Sequence, residues 1–507
     1  MSTSQQRRAP WLVAACFLFS FVVWSLATPT MAVPDEPAHA VKAASIWQGQ
    51  LRGTSEQVDS GNPAIAIPIT MERVRVPESY AELGAVPLCF AFVSDRPAGC
   101  APDAGSSTEL TETLTSAGRY PPAFYVLVGW PSAVFGADTG VPLMRLTSAV
   151  LCAALLGVAF SCLRRLVRPE VAFVAISVAA VPVLHFLAGS INPNGMEVAA
   201  AIAFWCAALA LVAACIEGRD PGRALSWSYV LSGVAMVVVR PLSPAFAALV
   251  VVWSLLWAGW PGARRVLTDR RWWSLNLPLA GAAALMVVWV LWSDGLGGMF
   301  GARVPEGTNL GVHLVGLVDD YVWQAVGIFG WMDNGPLAAV VLPWLAVAGA
   351  LVVVGGLFAR RRWSVVVLLG LCAAGVLLPA VLQAPSARAD GVAWQGRYGL
   401  PLLVGVPILA VVVARRWFPL HLEPTRRLVL GSSLVVAGAL AVAQLDTLQR
   451  YVVGDSGPVL FVGSDGWSSP IGTPLTVAGA VLASVALVAT TLAVSERASR
   501  GTTPPSP

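Results

Sequence analysis

Apolar runs long enough to cross a hydrocarbon layer recur along this chain, and they leave few folds open. They fall at about 10–28, 142–163, 170–190, 196–216, 225–240, 244–260, 273–292, 337–358, 363–383, 398–414, 428–445 and 474–494. A bilayer core takes roughly 20 apolar residues as a helix, because backbone N–H and C=O groups find no water there and must pair within the segment. Only 12% of the 507 residues are charged, against roughly 25% in a soluble domain. The chain therefore reads as an all-α polytopic membrane protein with about 12 transmembrane helices. Its formal charge of +4 is no argument for a nucleic-acid partner; the placement of the arginines matters more. A further apolar patch at 120–136 is too short to span comfortably.

Arginine placement sets the orientation. With the N-terminus in the cytoplasm and the segments alternating, short inner loops receive Arg164, Arg165, Arg168, Arg219, Arg223, Arg264, Arg265, Arg270, Arg271, Arg360, Arg361, Arg362, Arg415, Arg416, Arg426 and Arg427. Membrane proteins carry such an excess of positive charge on the cytoplasmic side. Both termini then lie in the cytoplasm, and every long loop lies outside: about 29–141, 293–336, 384–397 and 446–473. The chain divides into a tail and first helix (1–28), an outer loop (29–141), helices (142–292), a second outer loop (293–336), helices with outer loops (337–494) and a disordered cytoplasmic tail (495–507). Ala27-Thr28-Pro29 is a poor cleavage site, so the first segment reads as an uncleaved anchor. Cys89 and Cys100 fall in an outer loop around a turn-forming Asp95-Arg96-Pro97-Ala98-Gly99, which suits an extracytoplasmic disulfide. The other cysteines sit in or at the ends of apolar runs, as small hydrophobes.

Chemistry concentrates where the first helix leaves the bilayer, at Pro34-Asp35-Glu36-Pro37-Ala38-His39. Ionisable groups at that depth need water, a partner, a metal or a substrate. Pro37 suits the first turn of a helix, Asp35 or Glu36 its cap, and Gly49 its end. A helix over 37–48 is too short to cross and is expected to lie along the interface, with Asp35 and His39 four residues apart. A carboxylate there suits a general base acting on a hydroxyl from the aqueous side. The bland alternative is a solvated helix cap.

Further constellations follow. Arg119-Tyr120-Pro121-Pro122 opens a short apolar helix, where Arg119 can meet an anionic headgroup or the aromatics can simply anchor the surface. Arg240-Pro241-Leu242-Ser243-Pro244 follows a short apolar segment, so Arg240 is expected below the far interface, facing a lipid phosphate or an acidic residue. Trp394-Gln395-Gly396-Arg397-Tyr398 puts a guanidinium fork at a helix mouth, where it can grip phosphate, and Gly396 permits a close approach. Glu197, Asp319, Asp320 and Asp333 read as helix-capping acids, Asn192 and Asn194 as turn residues, and His185 as a hydrogen-bonded core histidine.

Taken in order, the Pro-Asp-Glu-Pro-x-His motif, Tyr120-Pro121-Pro122, the Gly-Trp-Met-Asp stretch ending at Asp333 and Gln395-Gly396-Arg397-Tyr398 resemble a bacterial membrane-protein family, domain of unknown function 2142. The family is grouped with the GT-C glycosyltransferases, and the resemblance covers roughly residues 10–450. It implies a GT-C-like fold, in a bacterial cell membrane, with juxtamembrane helices in the first outer loop. It implies sugar transfer from a polyprenyl-phosphate donor to an envelope glycan or lipid acceptor among the membrane lipids. Asp35 and Glu36 match the acidic pair of such enzymes, Asp35 as the base and His39 beside it. Arg119, Tyr120, Arg240, Arg397 and Tyr398 are the expected substrate contacts. Mg2+ or Mn2+ at Asp35 and Glu36 is compatible but not required. The rival readings are a lipid or polymer transporter and a non-catalytic envelope-assembly protein.

Overall fold

The computed structural model describes residues 3–58, 69–295, 304–305, 307–335, 337–464 and 466–499. Helices dominate. From the N-terminus come α1 (Thr3–Ala27) and α2 (Glu36–Trp47), then strands β1 (Thr54–Val58) and β2 (Ile69–Pro77), α3 (Glu78–Ala81), strand β3 (Leu110–Thr115) and α4 (Ala123–Val128). The bundle continues through α5 (Ala137–Leu163), α6 (Pro169–Ala179), α7 (Pro182–Ala188), α8 (Pro193–Ile216), α9 (Gly222–Val237), α10 (Ser243–Thr268) and α11 (Arg270–Ser293). After α12 (Leu310–Gly316) and α13 (Val318–Gly327) come α14 (Ala338–Leu357), α15 (Arg362–Gln383), α16 (Ala387–Asp390), α17 (Leu400–Leu403), α18 (Gly405–Val413), α19 (Leu422–Val453) and α20 (Thr473–Ser499).

Among the described residues, ten helices are long and apolar enough to cross a membrane, and the bent pair α6–α7 would make an eleventh. This agrees with an all-α polytopic membrane protein, while an exact count of 12 is not reached by that measure. The segment expected at 225–240 is α9, only 16 residues long. The pair α6–α7 bends by 76° where Pro182 starts α7, since proline has no N–H to continue the preceding helix. Helix α8 lies at the centre, packed by α5, α9 and α10. It is rich in alanine (Ala199, Ala200, Ala201, Ala207, Ala208), and small residues let helices approach closely.

The segment between α1 and α5 is more elaborate than the sequence foretells. It contains an antiparallel sheet in the order β1-β2-β3, with Thr54 opposite Arg73 and Glu72 opposite Thr115. Strand β2 alternates: Glu72, Val74 and Val76 face inward, Arg73 and Arg75 outward. Helix α2 is not a free interfacial helix but is enclosed by β2, β3, α4 and the turn at Trp130–Ala133, with most of its residues buried. The helix expected over 120–136 breaks at Gly129. A side chain there would meet the Ala43 carbonyl of α2 at 2.6 Å. Cys89 and Cys100 form a disulfide. At the C-terminus α20 runs to Ser499, and the rest of the expected tail lies outside the described residues.

The long helices alternate in direction, so arginine-rich ends gather at one end of the bundle. There Arg415 meets Glu217, Arg271 meets Asp220, and Arg265 bonds the Ile216 carbonyl. The segment between α1 and α5 caps the opposite end.

Candidate active site

Asp35 takes the N-cap position of α2, but in the left-handed region (φ 65°, ψ −2°), and its side chain caps nothing. A non-glycine residue held there is strained by about 1–3 kcal/mol, and such strain collects at functional sites. The conformation frees the carboxylate from the helix. It meets Arg397 instead, with the Arg397 Nη2 donating to Asp35 Oδ2 at 2.5 Å. The Asp35 side chain keeps 47% of its exposure while Arg397 keeps 8%, so the open face of the pair is the carboxylate.

Arg397 stands in a helical turn that precedes α17. Gly396 allows this placement: its Cα lies against the Tyr321 carbonyl and the Ala325 N–H of α13, where no side chain fits. The Gly396 N–H is taken by Gln324 at 2.8 Å. Among the described residues the Arg397 Nε and the Gln395 Oε1 have no hydrogen-bond partner, and both residues line a narrow cleft with Pro34, Phe186, Gln324 and Met332.

Tyr398 joins the two arginines. The guanidinium of Arg240 lies 4.6 Å from its ring centroid and that of Arg397 5.4 Å away, within cation–π range. Arg240 also lies near the Tyr120 hydroxyl and donates to Glu197 at 2.9 Å. Glu197 is fully buried and accepts from Ser243 at 2.5 Å and from Asn194 at 3.0 Å. It is thus no mere helix cap; it fixes Arg240. His39 bonds Tyr125 at 2.8 Å and presents its ring to the edge of Tyr120, 5.2 Å between centroids.

The titrations follow from this setting. Burial pushes the Asp35 carboxyl up, but Arg397, His39 and Arg240 together outweigh it and hold the group below the usual carboxylate range. Burial pushes the His39 imidazole down to about 3, helped by Arg397 and Arg240 and opposed by Asp35. At neutral pH the site holds an ionised Asp35, a neutral His39 and two guanidinium groups.

A family model for predicted membrane proteins, DUF2142, matches residues 18–406. The chain belongs to this family. No curated protein matches it. The DUF2142 match takes in Asp35, His39, Tyr120, Glu197, Arg240, Arg397 and Tyr398, all singled out by sequence and brought together here.

Two others in this DUF2142 chain point elsewhere. Glu36 is fully buried and both its oxygens take Arg145, Nε at 2.7 Å and Nη2 at 2.6 Å, with the Ile191 N–H at 3.0 Å. Arg145 also donates to the carbonyls of Thr28 and Pro29, so the pair splices α1, α2 and α5. Arg119 bridges Glu72 and Asp294, joining the sheet to the end of α11. The donor set does not fit Mg2+ or Mn2+ at Asp35 and Glu36, because the two carboxylates serve different arginines. Among the described residues no three of His, Cys, Asp and Glu gather as a metal site.

Sequence reasoning passed over Arg145, although an arginine inside the run 142–163 is itself a signal. It also passed over Arg450. That residue is buried against Asp333 at 2.8 Å and donates to the carbonyls of Phe90, Val93 and Arg96. Asp333 accepts from the Phe92 and Trp331 N–H groups as well. The Gly-Trp-Met-Asp stretch thereby clamps the disulfide loop to α19. His185 bonds Ser20 at 2.8 Å, as expected of a core histidine.

Beside the site an apolar groove of about 590 Å³ opens between α4 and α11. Pro121, Pro122, Leu127, Val238, Trp289 and Trp292 are among its walls. It begins one residue from Tyr120 and two from Arg240.

Proposed function

We propose that this protein transfers a sugar from a polyprenyl-phosphate donor to a hydroxyl of an envelope glycan or lipid at the outer face of a bacterial cell membrane. The observation that carries this reading is the Asp35–Arg397 pair, open on its carboxylate side, beside Arg240 and at the head of an apolar groove. The groove suits an isoprenoid chain, and the two guanidinium groups around Tyr398 suit its phosphate. Gln324 and Gln395 line a narrow polar cleft beside the pair, on the side from which the acceptor hydroxyl would approach.

In the free enzyme Arg397 holds Asp35 ionised but weakly basic. A general base works best with a pKa near the working pH. When the donor phosphate takes Arg397, Asp35 loses its counter-charge and becomes the stronger base. Asp35 then removes the proton of the acceptor hydroxyl, whose oxygen attacks the anomeric carbon. The bond from that carbon to the phosphate oxygen breaks, and the polyprenyl phosphate leaves with the electron pair, stabilised by Arg397 and Arg240. Single displacement inverts the anomeric centre, by analogy with glycoside chemistry. Neutral His39 and Tyr125 brace the wall of the site.

Asp35→Asn is the informative change, because asparagine tolerates the left-handed region. The expected outcome is a missing envelope sugar and an accumulated polyprenyl-phosphate sugar, with the protein inserted at normal levels. Unchanged glycans and donor pools would refute transfer and favour an assembly role. Altered passage of labelled lipid across vesicles containing the variant would favour transport.

A further inference from the structure

The end of the bundle opposite Asp35 carries a second concave site that sugar transfer does not use. A cavity of about 330 Å³ lies between the ends of α8, α10, α14, α15 and α18. Trp257 and Val412 are among its apolar lining, and Arg360, Arg361, Arg415 and Arg416 are among its charged lining. Excess arginine is expected on one side of any membrane protein, and some of these groups have a carboxylate at hand. Arg168 pairs with Glu170, Arg271 with Asp220 and Arg427 with Glu423. At the cavity only Arg415 has one, and it shares Glu217 with Arg219. Among the described residues Arg360, Arg361 and Arg416 make no ion pair.

Two further features point to a missing anion. Helix α15 begins at this rim with Arg361 as its N-cap, and although the Ser364 N–H is taken by the Arg361 carbonyl at 3.0 Å, the helix dipole favours negative charge here. Ser364, 8% exposed, lines the cavity, and among the described residues its hydroxyl has no hydrogen-bond partner. The charges also strain one another: burial lowers the Arg415 pKa, and Arg219 and Arg361 press it the same way against Glu217. Helix α10 breaks at Gly259 (φ 68°), and Trp257 of the same helix lies 5.4 Å below the Arg415 guanidinium. On the lipid side, the rim continues into exposed Leu357, Phe358 and Trp363, a surface for acyl chains rather than for water.

We propose that this cavity binds the phosphodiester headgroup of an anionic membrane lipid. Arg360, Arg361 and Arg416 hold the phosphate, Ser364 bonds a headgroup oxygen, and the chains lie over Phe358 and Trp363. The apolar lip favours a lipid over free phosphate as the source. The site is independent of Asp35.

The test uses the full chain in nanodiscs of mixed phosphatidylglycerol and phosphatidylcholine, with co-purifying lipid counted by native mass spectrometry. The wild type is expected to retain phosphatidylglycerol at least tenfold over its share in the disc. Arg361→Gln/Arg416→Gln is expected to reduce that enrichment at least fivefold, and Arg426→Gln/Arg427→Gln, on the same side but away from the cavity, to leave it within twofold. Should the first variant not insert, Ser364→Leu fills the cavity, keeps every arginine and is expected to show the same loss. No enrichment in the wild type, or equal loss in the control variant, would overturn the proposal. So would displacement of the lipid by millimolar inorganic phosphate, which would mark a soluble ligand.

Discussion

Glu36 and Asp35 are neighbours in sequence and opposites in role, and one substitution separates them. Glu36→Gln keeps the shape of the side chain and its acceptor for the Ile191 N–H, but removes the charge that faces Arg145. Both partners are almost wholly buried, at 0% and 5% exposure, so water cannot take over. Removing one member of a buried ion pair costs about 3–5 kcal/mol, because the other is left uncompensated. Unfolding entropy is about 2.1 cal/mol/K per residue, or roughly 1.1 kcal/mol/K over 507 residues. The expected fall in Tm is then about 3–5 °C, and larger where detergent-denatured spans stay helical and the entropy change is smaller. Thermal scans in one detergent, followed by intrinsic fluorescence, read this shift. Glu36→Gln/Arg145→Met, which removes both charges, is expected to recover most of it. A Tm within about 1 °C of wild type, combined with the phenotype of Asp35→Asn, would refute the structural assignment and return Glu36 to the chemistry.

The remaining predictions concern titration and tethering. His39 stays neutral down to about pH 3, so the pH profile of the proposed sugar transfer is expected to lack a His39 limb near 6.5; a limb there that Gln at position 39 abolishes would contradict the buried neutral ring. Lys42, whose ammonium donates to the carbonyls of Leu51 and Gly118, is lowered by burial to about 8 despite Glu72. Against roughly 10.4 unfolded, the folded state binds fewer protons between those values. Stability is therefore expected to rise with pH across that window and to be lost as the pH falls through about 8. Lys42→Met should flatten this slope in Tm measured from pH 7.5 to 10.5, and an unchanged slope would refute it. Cys89→Ser opens a link of sequence separation 11, worth about 3 kcal/mol in chain entropy. It is expected to lower Tm while sparing donor turnover, because the disulfide loop braces Arg450 rather than Asp35; reductant should reproduce the shift.

Much of the architecture was legible because the bilayer imposes it. Length and polarity alone located the crossing segments, and Pro37 and Gly49 bounded α2 within a residue or two. The sheet was not legible: β1 and β3 are short and polar, and their pairing with β2 depends on tertiary contacts. Residue types marked Asp35, Arg240 and Arg397 as ionisable groups in costly places. Their partners were hidden, since nothing local says that Arg240 meets Glu197 or that Asp333 meets Arg450. Glu36 was misread for the same reason. A carboxylate beside a catalytic candidate looks catalytic until the arginine that occupies it, far along the chain in α5, is seen.

The bond between Asp35 and Arg397 joins residues 362 positions apart, which gives the protein a timetable as well as a shape. At about 5–20 residues per second of synthesis, on the order of 20–70 s pass between the emergence of the carboxylate and that of its guanidinium partner. Arg145 emerges far sooner and can moor the loop meanwhile. A nascent or prematurely terminated chain that stops short of residue 397 would own a tethered carboxylate and no counter-ion, so competence arrives only near the end of translation.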